Sequence, residues 1–185
     1  MQSSVQNVKA GNHSEMVLPA WKRYLNRIVA NEVSFAAKYY DRVVQWKKLA
    51  FDTGDLLDQI DCEIKEEERS SHSAKSSNLY GSSLFLLVGN LNYSLDFQAL
   101  LEELKTNLSR SDRVCLVGYN PYLKWLFLVA TKLGIRKGEM PLTFVTTSDL
   151  KDIARISGFE LVRIRPVGFF PFRFFGIGTF INRLF

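Results

Sequence analysis

A length of 185 residues, an apolar share of 46% and a charged share of 23% fit one soluble globular domain with a real core. The net charge of +5 supports weak anion binding and no more, so no nucleic-acid partner is expected. His13, His72, Cys62 and Cys115 are scattered along the chain, which argues against a disulfide or a metal site, and two sparse cysteines suit a reducing cytoplasm.

Met1 to Ser14 is polar and lacks the charged-then-apolar pattern of a signal peptide, so residues 1–15 are expected to be a disordered N-terminus. No run of about 18 apolar residues occurs, so no membrane-spanning helix is expected, and the chain is expected to be cytoplasmic or membrane-peripheral. From Met16 to about Phe51, Trp21, Leu25, Ile28, Val29, Phe35, Tyr39, Val43 and Leu49 recur at helical spacings, which predicts one long helix or two broken near Asn31. Lys22, Arg23, Arg27, Lys38, Arg42, Lys47 and Lys48 interleave with aromatic residues here, a pattern shared by a nucleic-acid or membrane surface and by an amphipathic helix whose long basic side chains reach past an apolar face, the latter being the favoured reading. Asp52, Asp55, Asp58 and Asp61, then Glu63 and Glu66 to Glu68, predict a solvated acidic helix up to Arg69; the spacing lacks the glycine turn of a calcium loop. Residues 16–69 thus read as a helical region with an acidic end, and the serine-rich stretch 70–80 as a linker.

Residues 81–165 read as an α/β core. Leu84 to Asn90 is a short apolar run ending in Gly89 and Asn90, the signature of a strand buried on both faces. Asp96 is placed to cap a helix in which Phe97, Leu100, Leu101, Leu104 and Leu108 share one face. After the polar turn Ser109 to Asp112, Arg113 to Asn120 repeats the strand signature, so the two strands are predicted to be parallel, joined by a helical crossover. Covered sheets of this kind open their crevices beyond the carboxyl ends of the strands, which draws attention to Gly89, Asn90, Asn92, Tyr93, Gly118, Tyr119 and Asn120. Asn120 and Pro121 then start a further helix with Leu123, Leu126, Phe127, Val129, Ala130 and Leu133 on a wide apolar face, ended by Gly134. Thr147 or Ser148 is predicted to cap a short helix closed by Gly158, and Phe159 to Arg165 alternates like a half-covered strand.

Residues 166–185 carry Phe169, Phe170, Phe172, Phe174, Phe175, Phe180 and Phe185 beside Arg173 and Arg183. So much aromatic surface calls for a partner: the sheet, a partner chain, or a membrane surface.

From the linker onward the chain resembles the C-terminal half of a class I S-adenosylmethionine-dependent methyltransferase. Leu84 to Asn90 is similar to the family's fourth strand, Leu91 to Asp96 to the segment after it, and Arg113 to Asn120 to the fifth strand. Thr147 to Leu150 with Ile156 to Val162 is similar to the sixth unit. The resemblance implies an α/β fold with a partial Rossmann-like methyltransferase sheet of about three parallel strands with flanking helices, preceded by the N-terminal helical region. It further implies S-adenosyl-L-methionine as cofactor and methyl transfer to a small-molecule or lipid-linked acceptor. Asp52, Gly54, Asp55 and Asn90 are the candidate cofactor-binding residues, Asn92, Tyr93 and Asn120 the candidate substrate-binding residues, and Tyr93 and Tyr119 the candidates for orienting an acceptor. The chain departs from the family in its N-terminal half: one glycine, Gly54, stands where a glycine-rich turn is expected, and the second and third strands, with their ribose-binding carboxylate, look missing. The family's seventh strand is missing too, so the sequence reads as an incomplete gene product, a non-catalytic scaffold, or a domain completed by a partner chain.

Overall fold

The computed structural model describes residues 20–49, 52, 55–67, 81–134 and 140–167. The chain runs through α1 (Ala20–Ala37), β1 (Arg42–Gln45), α2 (Asp55–Gln59), β2 (Ile64–Glu67), β3 (Ser83–Val88), α3 (Asn90–Tyr93), α4 (Phe97–Asn107), β4 (Arg113–Val117), a 3-10 turn (Pro121–Leu123), α5 (Lys124–Lys132) and α6 (Thr147–Ile156). Four strands form one sheet in the order β2-β1-β3-β4, and every neighbouring pair is parallel.

Alternation along the two central strands divides the core into two layers. Val43, Leu84 and Leu86 face α1 and α2, where Ala30, Val33, Ala37, Leu56, Leu57 and Ile60 cover them. Val44, Phe85 and Leu87 face the other way, against Trp46, Leu91, Phe97, Leu101 and Leu104, with Leu150 and Ile153 of α6 packed alongside. A strand covered on both sides must be apolar at successive positions, and β3 is buried from Ser83 to Leu87. The predicted crossover is present: Phe85 pairs with Val114 and Leu87 with Leu116, and Asp96 caps α4 by accepting from the Ala99 amide at 2.8 Å.

Three expectations are corrected. The stretch from Met16 to Phe51 is not helical throughout: α1 ends at Ala37, and Arg42–Gln45 is a strand buried at all four positions. Two adjacent β-branched residues, covered on both faces and paired on both edges, outweigh a weak local helix preference. The acidic segment is not one helix, because Ile64–Glu67 is strand β2, at the edge of the sheet formed by the described residues, which has four parallel strands where about three were expected. Phe159 to Arg165 pairs with no strand among the described residues. Phe159 packs in the α4–α6 layer while Arg165 Nη1 pairs with Glu32 of α1 at 2.6 Å, so the segment passes from one layer to the other. The serine-rich stretch 70–80, the N-terminal 1–15 and the phenylalanines of the last segment lie outside the described residues.

The burial of β1 has a test with opposite signs. Val43 is fully buried, so Val43→Ala is expected to cost about 1–3 kcal/mol by leaving a cavity. At a solvent-facing helical position the same change would stabilise by a few tenths of a kcal/mol. Urea unfolding of the two proteins reads the difference.

Candidate functional site

The strand order reverses between β1 and β3: from β1 the chain moves outward to β2, then returns to the far side of β1 to form β3 and β4. Crevices of parallel sheets open at such a reversal, beyond the carboxyl ends of the strands. Here those ends are Gln45 to Leu49 after β1, Glu67 at the end of β2, Gly89 and Asn90 after β3, and Gly118 to Asn120 after β4.

The β1 side is polar although it is enclosed. Gln45 is 1% exposed; its Nε2 donates to Asp52 Oδ2 at 2.6 Å, and its Oε1 is buried without a hydrogen-bond partner among the described residues. Lys47 adopts φ 45, in the left-handed region a branched or long side chain seldom enters. It lies over the Trp46 ring and pairs with Glu103 of α4. Lys48 Nζ pairs with Glu67 Oε1 at 2.7 Å, joining the β1 loop to the end of β2. Asn90 is buried and serves the same loop, its Nδ2 donating to the Lys47 carbonyl at 2.9 Å. Gly89 has φ 75, and a Cβ there would stand 3.3 Å from Leu49 Cδ1, so the β1 loop closes down on the turn after β3.

The β4 side is organised by Asn92, which is fully buried. Its Oδ1 accepts from the Tyr119 amide at 2.7 Å, its Nδ2 donates to the Thr143 carbonyl at 2.9 Å, and its own carbonyl accepts from the Leu142 and Thr143 amides. One side chain thereby fastens α3, the turn after β4 and the segment before α6. Tyr93 and Tyr119 meet edge to face at 6.1 Å, and Tyr119 continues through Phe127 to Phe144 in an aromatic stack. Asn120 Oδ1 accepts from the Tyr122 amide at 3.0 Å and caps the 3-10 turn.

The predicted residues therefore fall into two groups. Asp52 and Asn90 border the β1 loop, while Asn92, Tyr93, Tyr119 and Asn120 border the β4 turn. Asn92 and Asn120 hold backbone amides, which makes them framework residues of the crevice. Asp55 opens α2, and Gly54 lies outside the described residues. Gln45 was not singled out from sequence, and Lys47, Lys48 and Glu67 were noted only within a basic and an acidic helical face, since each sat in a stretch read as helix. The available signal was the Val43-Val44 pair ending in a polar residue. Among the described residues no group of three or more His, Cys, Asp or Glu is placed to hold a metal ion. Cys115 of β4 packs against the α1–α2 layer, and burial pushes its thiol from 9.0 up to about 11. No family model, curated protein or solved structure matches the chain.

Two measurements follow from this geometry. Asn92→Leu keeps the branched outline of the side chain but strands the Tyr119 amide and the Thr143 carbonyl, and is expected to cost about 2–4 kcal/mol in denaturant unfolding. For Cys115 the folded chain retains a proton that the unfolded chain releases, so its contribution to stability is present below about pH 9 and is lost as pH rises towards about 11. Cys115→Ala should therefore show a shallower fall in unfolding free energy over that window than the unsubstituted protein.

Proposed function

We propose that this chain is a class I methyltransferase-like domain that takes S-adenosyl-L-methionine at the reversal between β1 and β3 and serves a small-molecule or lipid-linked acceptor on the Tyr93–Tyr119 side. The observation carrying this reading is Glu67 at the carboxyl end of β2, one strand from the β1 loop in an all-parallel sheet. A carboxylate there is suited to accept hydrogen bonds from the two hydroxyls of a ribose. In this reading Glu67 would take the part of the ribose-binding carboxylate that the sequence resemblance lacked.

The donor set fits a cationic ligand with a free amine. Among the described residues Gln45 Oε1 is a buried acceptor with no partner, and its amide is held by Asp52. A ligand ammonium group would satisfy that oxygen and lie near a carboxylate, removing the cost of a buried unpaired acceptor. When bound, the cofactor supplies an activated methyl group, and the chain's task is alignment. Asn90 fixes the loop floor, and the Tyr93 and Tyr119 rings form a wall against which an acceptor can be oriented.

A second reading, a non-catalytic scaffold, draws support from a separate feature of the same crevice. Trp46, Lys47, Lys48 and Leu49 bring side chains where the family has bare glycine backbone; Lys48 covers Glu67, and Leu49 lies over Gly89. Titration calorimetry with S-adenosyl-L-methionine separates the two. The enzyme reading expects saturable micromolar binding, weakened about tenfold by Glu67→Gln through loss of a charged acceptor and strengthened severalfold by Lys48→Ala, which uncovers it. No heat from cooperatively folded protein, with Lys48→Ala equally silent, supports the scaffold.

A further inference from the structure

The turn and helix after β4 present a surface that the crevice does not use. Tyr122, Trp125, Val129 and Leu133 are spaced by three and four residues, so they form one helical stripe, and Leu128 flanks it. Tyr122 is 77% exposed, Trp125 62% and Leu133 66%. The inner side of α5 is already occupied, since Phe127 stacks between Tyr119 and Phe144 at 4.9 and 5.8 Å. The helix is thus apolar on both sides, and its outward stripe has no cover among the described residues.

Charge identifies what would cover it. From Arg113 to Gly138 there is no aspartate or glutamate, while Lys124 and Lys132 flank the stripe at either end of α5. Lys124 Nζ lies 5.8 Å from the centre of the Phe144 ring, at the rim of the aromatic stack. Two copies of this surface facing each other would oppose like charges. An anionic lipid interface instead attracts the lysines, accepts tryptophan and tyrosine at headgroup depth and buries the aliphatic residues beneath them. No described helix is long and apolar enough to cross a membrane, so the contact is with its surface.

We propose that the Tyr122–Leu133 face seats the protein on an anionic membrane surface. This holds whether or not the crevice takes an adenosyl ligand. The orientation follows from the fold: the face adjoins the Tyr119 turn, so the β4 side of the crevice comes to rest beside the lipid headgroups.

The experiment is co-sedimentation of the full chain with vesicles of phosphatidylcholine alone and of phosphatidylcholine containing about one quarter phosphatidylglycerol. Binding to the mixed vesicles is expected, falling about tenfold or more without the anionic lipid, at high salt, or in the triple variant Trp125→Ser, Val129→Ser, Leu133→Ser. Cooperative unfolding of the triple variant verifies its fold. If it does not fold, Lys124→Gln with Lys132→Gln decides instead, and should lose the preference for anionic vesicles. Trp125 emission should shift to the blue on binding, a shift missing from Trp125→Phe. Absence of vesicle binding overturns the proposal, as does binding unchanged in the α5 variants. Loss of binding only when Phe169, Phe170, Phe174 and Phe175 are changed to serine overturns it in favour of the C-terminal segment. A concentration-dependent dimer abolished by the triple variant, with no vesicle binding, overturns it in favour of a second copy.

Discussion

Parallel pairing of β1 with β3 is the constraint from which the remaining architecture follows. Arg42 to Gln45 lie in register with Ser83 to Leu86 on one side and with Ile64 to Glu67 on the other, and Trp46 extends the ladder through its amide to the Leu86 carbonyl. A four-residue strand can hold that position because its two valines enter opposite layers of the core. Its first residue is also satisfied internally: Arg42 Nε donates to Ser83 Oγ at 2.8 Å and Nη1 meets Glu66 at 3.1 Å, so one side chain spans three strands. Once β1 is central, the chain must reverse beside it, and the crevice is placed without reference to any loop.

The contacts around that crevice differ in strength, and the difference has a functional sense. Asn92 is fully buried and pairs with two backbone groups, so each interaction it makes is costly to leave unmade. The pairs of Lys47 with Glu103 and of Lys48 with Glu67 are partly exposed, a class worth less than about 1 kcal/mol. The frame is therefore rigid on the β4 side and exchangeable on the β1 side. A charged ligand could displace Lys48 from Glu67 at small cost, whereas nothing of comparable strength displaces Asn92.

Legibility from sequence followed the length of the apolar run. β3 and β4 were readable because successive apolar residues can only mean cover on two faces, and Asp96 and Asn120 were readable as caps because their side chains act within three residues. The α6 cap falls at Thr146, one residue before the expected position, because Asp149 returns the hydrogen bond and completes a capping box. β1 was hidden because Arg, Val, Val and Gln in a run of lysines and aromatics satisfy a helical period as well as a strand. Only pairing with residues 22 and 41 positions away tells the two apart. β2 was hidden for the opposite reason: all four positions are exposed, so no apolar pattern marks it. The site residues Gln45, Lys48 and Glu67 depend on those two strands and were lost with them. Phe159 to Arg165 alternates like a strand yet is held by Phe159 in one layer and Arg165 in the other.

The composition of β2 also governs how the folded molecule tolerates crowding. Three of its four residues, Lys65, Glu66 and Glu67, are charged and all face water. An incoming chain seeking to extend the sheet there would have to strip hydration from those groups, which discourages templated growth. At the opposite margin, Val114 to Val117 carries no charge. Any tendency of this fold to polymerise through strand addition is thereby confined to a single direction, and one protected border is enough to stop two such molecules from propagating a continuous fibre through it.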